Sequence, residues 1–214
     1  MMFDIIDPLI EEYCVKHSDE ESPLLHSLNR KTHLNNLSPR MLSGHLQGRI
    51  LSMFSLLIKP KVILEIGTFT GYSALCLSEG LEKEGVLYTV DVNEEIEEIA
   101  KEYFSKSDKA NQIKLHIGDA LEFIKNFNNP IDLVFIDADK KNYIHYFNLV
   151  ADKIKSGGLL IADNVLWSGK VINEDVQDSD TLTIREFNKT VASDSRFRKL
   201  ILPVRDGLTV AYKI

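Results

Sequence analysis

Hydrophobic and polar positions divide the chain into two parts near residue 60. Before that point apolar residues recur at spacings of three and four, the period of one helix face. Phe3, Ile6, Leu9, Ile10 and Tyr13 form one such stripe, and Leu24, Leu25 and Leu28 begin a second. A third runs through Leu46, Ile50, Met53, Phe54, Leu57 and Ile58 and stops at Lys59-Pro60. Helical spacing with no strong strand candidate predicts a leading helical segment over residues 1–60. Such helices cover a sheet; the alternative is that they also wall a substrate site or a dimer interface.

From residue 62 short apolar runs alternate with helical stretches. Val62-Ile63-Leu64-Glu65-Ile66 is closed by Gly67, and a helix is expected over 72–83. A second strand is expected at 86–91. Asn93 stands where it can cap the next helix, whose first turns carry Glu94, Glu95, Glu97 and Glu98. The helix dipole favours negative charge there, and a solvated helix face is the plain reading of these acids. Further strands are expected at 113–117, 131–137 and 159–163. Asp119 starts one helix, and another spans 140–154 until Gly157-Gly158 breaks it. A loop, a helix over 181–193 and strands at 199–203 and 208–212 complete the pattern. Val204-Arg205-Asp206-Gly207 makes the last two strands a hairpin. Near-continuous apolar strands alternating with helices indicate an α/β fold: a parallel sheet buried on both faces.

Composition narrows the classes. A chain of 214 residues predicts one domain, here a helical cap (1–60) on a core (61–214). Charged residues at 27% and aromatics at 8% are ordinary globular values, which argues against disorder or fibrous structure. Thirty-two acidic residues against 25 basic ones, net −7, disfavour a nucleic-acid binder that neutralises phosphates, although a small basic patch remains compatible. No apolar run approaches the roughly 20 residues of a bilayer span. The N-terminus lacks a basic-plus-apolar signal, so a cytoplasmic protein without a membrane partner is expected. Cys14 and Cys76 are far apart and fit no metal-ligand pattern.

Ligands of doubly wound sheets bind at the carboxyl ends of the strands. Glu65-Ile66-Gly67-Thr68-Phe69-Thr70-Gly71 is a glycine-punctuated turn at such an end. Phe69 stands where the dinucleotide fingerprint needs its second glycine, and no Gly-Lys-Ser/Thr follows. The turn therefore has room for a nucleoside but no grip on phosphates. Asp91 ends the next strand, where a carboxylate can accept ribose hydroxyls. A plain turn is the simpler alternative.

Asp137 and Asp163-Asn164 end neighbouring strands. Two carboxylates and an amide are an all-oxygen set suited to a hard cation and unsuited to structural zinc. The alternative is that these residues only cap or turn the chain. Lys140 follows Asp137 by three residues. It is either solvated or, beside a bound cation, a base.

These residues resemble the cation-dependent O-methyltransferases of the caffeoyl-CoA and catechol type. The resemblance lies in 62–74, Phe135-Ile136-Asp137-Ala138-Asp139-Lys140, Ala162-Asp163-Asn164-Val165-Leu166-Trp167 and Asp206-Gly207-Leu208-Thr209, in the expected order. It covers about residue 41 to the end. It implies the Rossmann-like S-adenosylmethionine-dependent methyltransferase fold: a seven-stranded, mostly parallel sheet ending in an antiparallel hairpin, with helices on both faces. The extra N-terminal helices are additional to that fold.

By motif position, Glu65, Gly67, Thr68, Tyr72 and Ser73 line the methionine and ribose region, with Asp137 also among the cofactor contacts. Asp91 holds the ribose, and Asp119 and Ala120 lie by the adenine. Asp137, Asp163 and Asn164 fall on the metal ligands, and Lys140 falls on the proposed general base. Magnesium is the expected ion, with calcium and manganese as alternatives. The implied acceptor is a hydroxylated aromatic small molecule, with Met41 and Trp167 as substrate contacts, and the implied assembly is a homodimer.

The segment from Met41 to Arg49 matches only partly, since His45-Leu46 replaces a Pro-Glu pair common in relatives. The acidic stretch 167–180 reads as a mobile loop bordering the acceptor. Two rival classes stay in view: another nucleotide-binding enzyme on a doubly wound sheet, and a non-catalytic binding protein with a methyltransferase fold. A nucleic-acid methyltransferase ranks below both, lacking a base-methylation motif and a basic face.

Overall fold

The computed structural model describes residues 5–35 and 41–214; Phe3 of the first stripe lies outside them. Three helices lead: α1 (Pro8–Lys16), α2 (Pro23–Asn35) and α3 (Gly44–Ile58). The core then alternates β1 (Val62–Ile66), α4 (Tyr72–Ser78), β2 (Val86–Asp91), α5 (Glu97–Ser105), β3 (Ile113–Ile117), α6 (Ala120–Asn126), β4 (Ile131–Ile136), α7 (Tyr143–Ala151) and β5 (Ile154–Ala162). It closes with α8 (Ser179–Ser193), β6 (Phe197–Leu202) and β7 (Leu208–Lys213).

The strands form one seven-stranded sheet in the order β3-β2-β1-β4-β5-β7-β6. Neighbours from β3 to β5 pair in parallel, and β7 runs against both β5 and β6. Strand order reverses between β1 and β4, which opens a crevice at their carboxyl ends. Alternate residues of a strand face opposite sides. Ile63, Leu133 and Phe135 accordingly enter one apolar cluster, and Leu64, Val134 and Ile136 enter the other. Burial on both faces is why the central strands β1 and β4 are apolar at all but one position each, Glu65 and Asp132.

Four expectations change in detail. The helix expected over 72–83 stops at Ser78, where the chain turns through a Leu81 N–H bond to the Ser78 carbonyl. Asn93 caps a 3-10 turn, Glu94–Ile96, and α5 begins only after it. Gly157-Gly158 does not break a helix but lies inside β5, where pairing with β4 shifts register. Gly157, at φ +84°, allows the irregularity there. The same expectation changes at its start, where the helix expected over 140–154 begins as a 3-10 turn, Lys140–Asn142, followed by α7.

The fourth concerns α3. The face of α3 that packs inward carries Gln47, Gly48, Leu51, Ser52 and Ser55, while Met53 and Leu57 of the predicted stripe are exposed. Gly48 lies against Tyr72 and Cys76 of α4, and the Ser55 hydroxyl donates to the Leu77 carbonyl. Close approach of two helices selects small side chains at the contact, so Met53 and Leu57 are turned outward, while Ile50, Phe54 and Ile58 pack against the core from the flank. In α1 no residue is buried, and Leu9, Ile10 and Tyr13 face solvent.

Candidate active site

The carboxyl ends of β1, β2, β4 and β5 border a cavity of about 1480 Å³. Pairing places Ile66 beside Val90 and Ile136, and Ile136 beside Ala162. The residues that follow these positions, Gly67, Asp91, Asp137 and Asp163, therefore meet at the crevice. All the sequence-selected site residues except Glu65 line this cavity: Gly67, Thr68, Tyr72, Ser73, Asp91, Asp119, Ala120, Asp137, Lys140, Asp163, Asn164, Met41 and Trp167.

The glycine turn is built tightly. Gly67 has φ +101°, and a Cβ there would stand 2.1 Å from the Asp137 carbonyl oxygen. One Asp91 carboxylate oxygen accepts the backbone N–H of Thr68 (3.0 Å) and Phe69 (2.8 Å); the other accepts that of Asn93 (3.0 Å). Asp91 thus organises the turn, and a carboxylate retains acceptor capacity beyond three bonds. Asp119 caps α6 by accepting from Glu122 N–H (2.8 Å).

Glu65 sits one layer behind the cavity wall. It is fully buried, its Oε2 accepting the Thr89 hydroxyl and its Oε1 unpartnered. Burial pushes its carboxyl up to about 8 against the neighbouring hydroxyls of Ser73 and Thr89, and the charges of Asp137 and Asp91 add to the rise. Ser73, beside this buried acid, lines the cavity. The Tyr72 hydroxyl donates to Glu21 (2.6 Å), which ties the chain between α1 and α2 to the wall.

On the opposite side, Asp163 is buried, and burial together with the Asp137 charge holds its carboxyl above the usual carboxylate range. Gln47 donates to its Oδ2 at 2.6 Å, and the Asn164 backbone N–H donates to Oδ1. Asn164 follows Asp163 on the cavity wall, and its side-chain amide carries an oxygen able to act as a ligand. Among the described residues no three His, Cys, Asp or Glu side chains converge as a metal site. The set here is two carboxylates and an amide oxygen. Desolvated, mutually repelling carboxylates fit a hard divalent cation, which relieves the repulsion and takes oxygen ligands.

Lys140 is nearly buried, with 10% of its side chain exposed. Its Nζ donates to the Tyr143 hydroxyl (2.6 Å), the Ala138 carbonyl (3.1 Å) and Asp137 Oδ1 (3.4 Å). Trp167 stands across from it, its ring centroid 5.9 Å from Nζ, and its buried indole N–H has no partner. Trp167 and Ser168 hold left-handed backbone, φ +49° and +53°. Asp206 accepts the Ser168 N–H, and Arg205 donates to the Ser43 carbonyl. The turn between β6 and β7 thereby fastens two walls of the cavity.

The stretch expected as a mobile acidic loop is instead folded onto α8. Arg185 donates to the carbonyls of Lys170, Val171, Asn173 and Val176. Gln47, Tyr143, Arg185 and Arg205 were not selected from sequence. Each lies in a segment that the pattern marks, but nothing in the pattern singles out the residue itself.

Comparison with known proteins agrees with this geometry. Residues 15–214 match the family model described as O-methyltransferase. Caffeoyl-CoA O-methyltransferase 1 of Nicotiana tabacum is 35% identical over 180 residues, 78% of this chain and 75% of the tobacco protein. The SAH-bound methyltransferase PaMTH1 of Podospora anserina superposes with a TM-score of 0.88 at 28% identity, covering 96% of this chain and 94% of that one. The O-methyltransferase TomG of Streptomyces achromogenes, in complex with SAM, gives a TM-score of 0.87 at 26% identity, covering 96% of each chain.

Proposed function

The chain belongs to the O-methyltransferase family, and on that footing we propose that it transfers the methyl group of S-adenosylmethionine to a hydroxyl of a catechol-like or caffeoyl-type small molecule, assisted by a divalent cation. The observation that supports this reading is a shared cavity: the Gly67–Ser73 turn lines one side, and Asp137, Lys140, Asp163 and Asn164 line the other.

Asp137, Asp163 and Asn164 would hold the cation, magnesium first and manganese or calcium as alternatives. When bound, it makes a neighbouring phenol more acidic and fixes its direction, while the cofactor supplies an activated methyl group. Glu65 (through Ser73), Gly67, Thr68, Tyr72, Asp91, Asp119 and Ala120 bind and orient the cofactor. Lys140 would take the acceptor's proton at Nζ, leaving the oxygen free for the methyl group that the bound cofactor would supply, with the cofactor's sulfur as the leaving group. Met41 and Trp167 bound the acceptor and keep water out. Holding both reactants at reacting distance supplies up to about 7–11 kcal/mol in favourable cases.

The same reading places the chain in the cytoplasm, with no membrane or nucleic-acid partner. Among the described residues no helix is long and apolar enough to cross a membrane. It also takes the exposed apolar faces of α1 and α3 as a homodimer contact.

S-adenosylhomocysteine should raise the melting temperature by mass action on the folded state. A shift with NAD and none with S-adenosylhomocysteine would overturn the cofactor. Methyl transfer to a panel of catechols and caffeoyl compounds should vanish with a chelator and return with magnesium. Transfer indifferent to chelator would remove the metal from the reading while leaving the methyltransferase.

A further inference from the structure

Resting on Lys140 as base, we propose that the Tyr143 hydroxyl is the positioning group that fixes the Lys140 amine at the cavity wall. Tyr143 is the first residue of α7 and is fully buried, its ring edge-on to Phe187 at 5.3 Å between centroids. Its hydroxyl donates to the Asp163 carbonyl at 3.0 Å. With its hydrogen committed there, the oxygen accepts from Lys140 Nζ at 2.6 Å, the shortest of the three contacts of that amine. The other two contacts, to the Ala138 carbonyl and Asp137 Oδ1, are with residues of the cavity wall, so the Tyr143 hydroxyl is the one partner that anchors the amine behind it.

This arrangement solves a problem that lysine brings to base catalysis. Its long stem is flexible, whereas a base must stand within hydrogen-bond reach of the proton it removes. Two of its three contacts, to Tyr143 and Ala138, fix the amine in place, and the third direction lies toward Asp137 and the cavity. On transfer the acceptor's O–H bond breaks, an N–H bond forms in that direction, and Tyr143 keeps its own proton. The hydroxyl also ties the amine to the β5 end that carries Asp163 and Asn164, so one oxygen sets the spacing between base and carboxylates.

Tyr143→Phe keeps the ring and its packing and removes only this oxygen. It should lower kcat about 10–100-fold, the usual loss when a supporting partner is removed. KM for cofactor and acceptor should stay within about twofold, because ground-state binding is untouched. The melting shift given by S-adenosylhomocysteine should be retained. In a Lys140→Ala background the same substitution should cost nothing further, because both changes act through one group. Unchanged kcat in Tyr143→Phe, or an undiminished loss in the Lys140→Ala background, would overturn the proposal. Loss of the S-adenosylhomocysteine response would assign Tyr143 to the fold and overturn it equally. Full turnover in Lys140→Ala alone is a separate result that rejects the base itself.

Discussion

Glu65 shows how burial turns a motif residue into a titration. Its folded pKa of about 8 stands above the ordinary 4.5, chiefly through desolvation. An acid raised on folding stabilises the fold fully below its unfolded pKa and loses that contribution as pH rises through the folded value. The native chain should lose melting temperature relative to Glu65→Gln as pH rises from about 4.5 to about 8. A difference that stays constant across this window would mean that the acid is ionised when folded. At this scale the candidate site was largely legible. Asp91, Asp137 and Asp163 stand at strand ends, and strand ends are visible as breaks in apolar runs. Gln47 and Tyr143 were not legible, because their meaning lies in contacts with Asp163 and Lys140 made by other elements. Nothing in an isolated Gln or Tyr on a helix announces such a partner.

At the scale of elements, the segment after β5 is the clearest case of a pattern read one way and folded another. Its acids and small residues describe a solvated loop. What holds it is a cation on the next helix, Arg185, spanning four carbonyls. Hydrogen bonds from a charged donor contribute about 1.5–3 kcal/mol each. Arg185→Ala should therefore speed amide exchange across 170–176 and raise KM for the acceptor, with the S-adenosylhomocysteine melting shift retained. Equal exchange in both proteins would show that the segment holds itself. The α3 helix makes the same point by its faces. Periodicity located the helix closely but assigned the inner face by hydrophobicity. The inner face was decided by how closely α4 approaches, and only Gly48, Ser52 and Ser55 leave room for it.

For the whole molecule, the outward apolar residues of α1 and α3 carry the prediction. Leu57 is 71% exposed and Met53 55%, on a chain whose α1 buries nothing. The proposed dimer would cover this surface. The chain should sediment at about twice 24.3 kDa, and Leu57→Glu should sediment as a single chain. A native protein sedimenting at the mass of one chain would reject the dimer. The alternating apolar runs by themselves determined the α/β class, the strand count and the closing hairpin, because burial on both sheet faces imposes a continuous pattern that local reading detects. They also determined which acids stand at strand ends. Tertiary structure alone decided the strand order that gathers those ends around one cavity, the outward turn of Met53 and Leu57, and the partners of Lys140 and Asp163. These depend on contacts between residues far apart in the chain, and short-range periodicity carries no information about such distances.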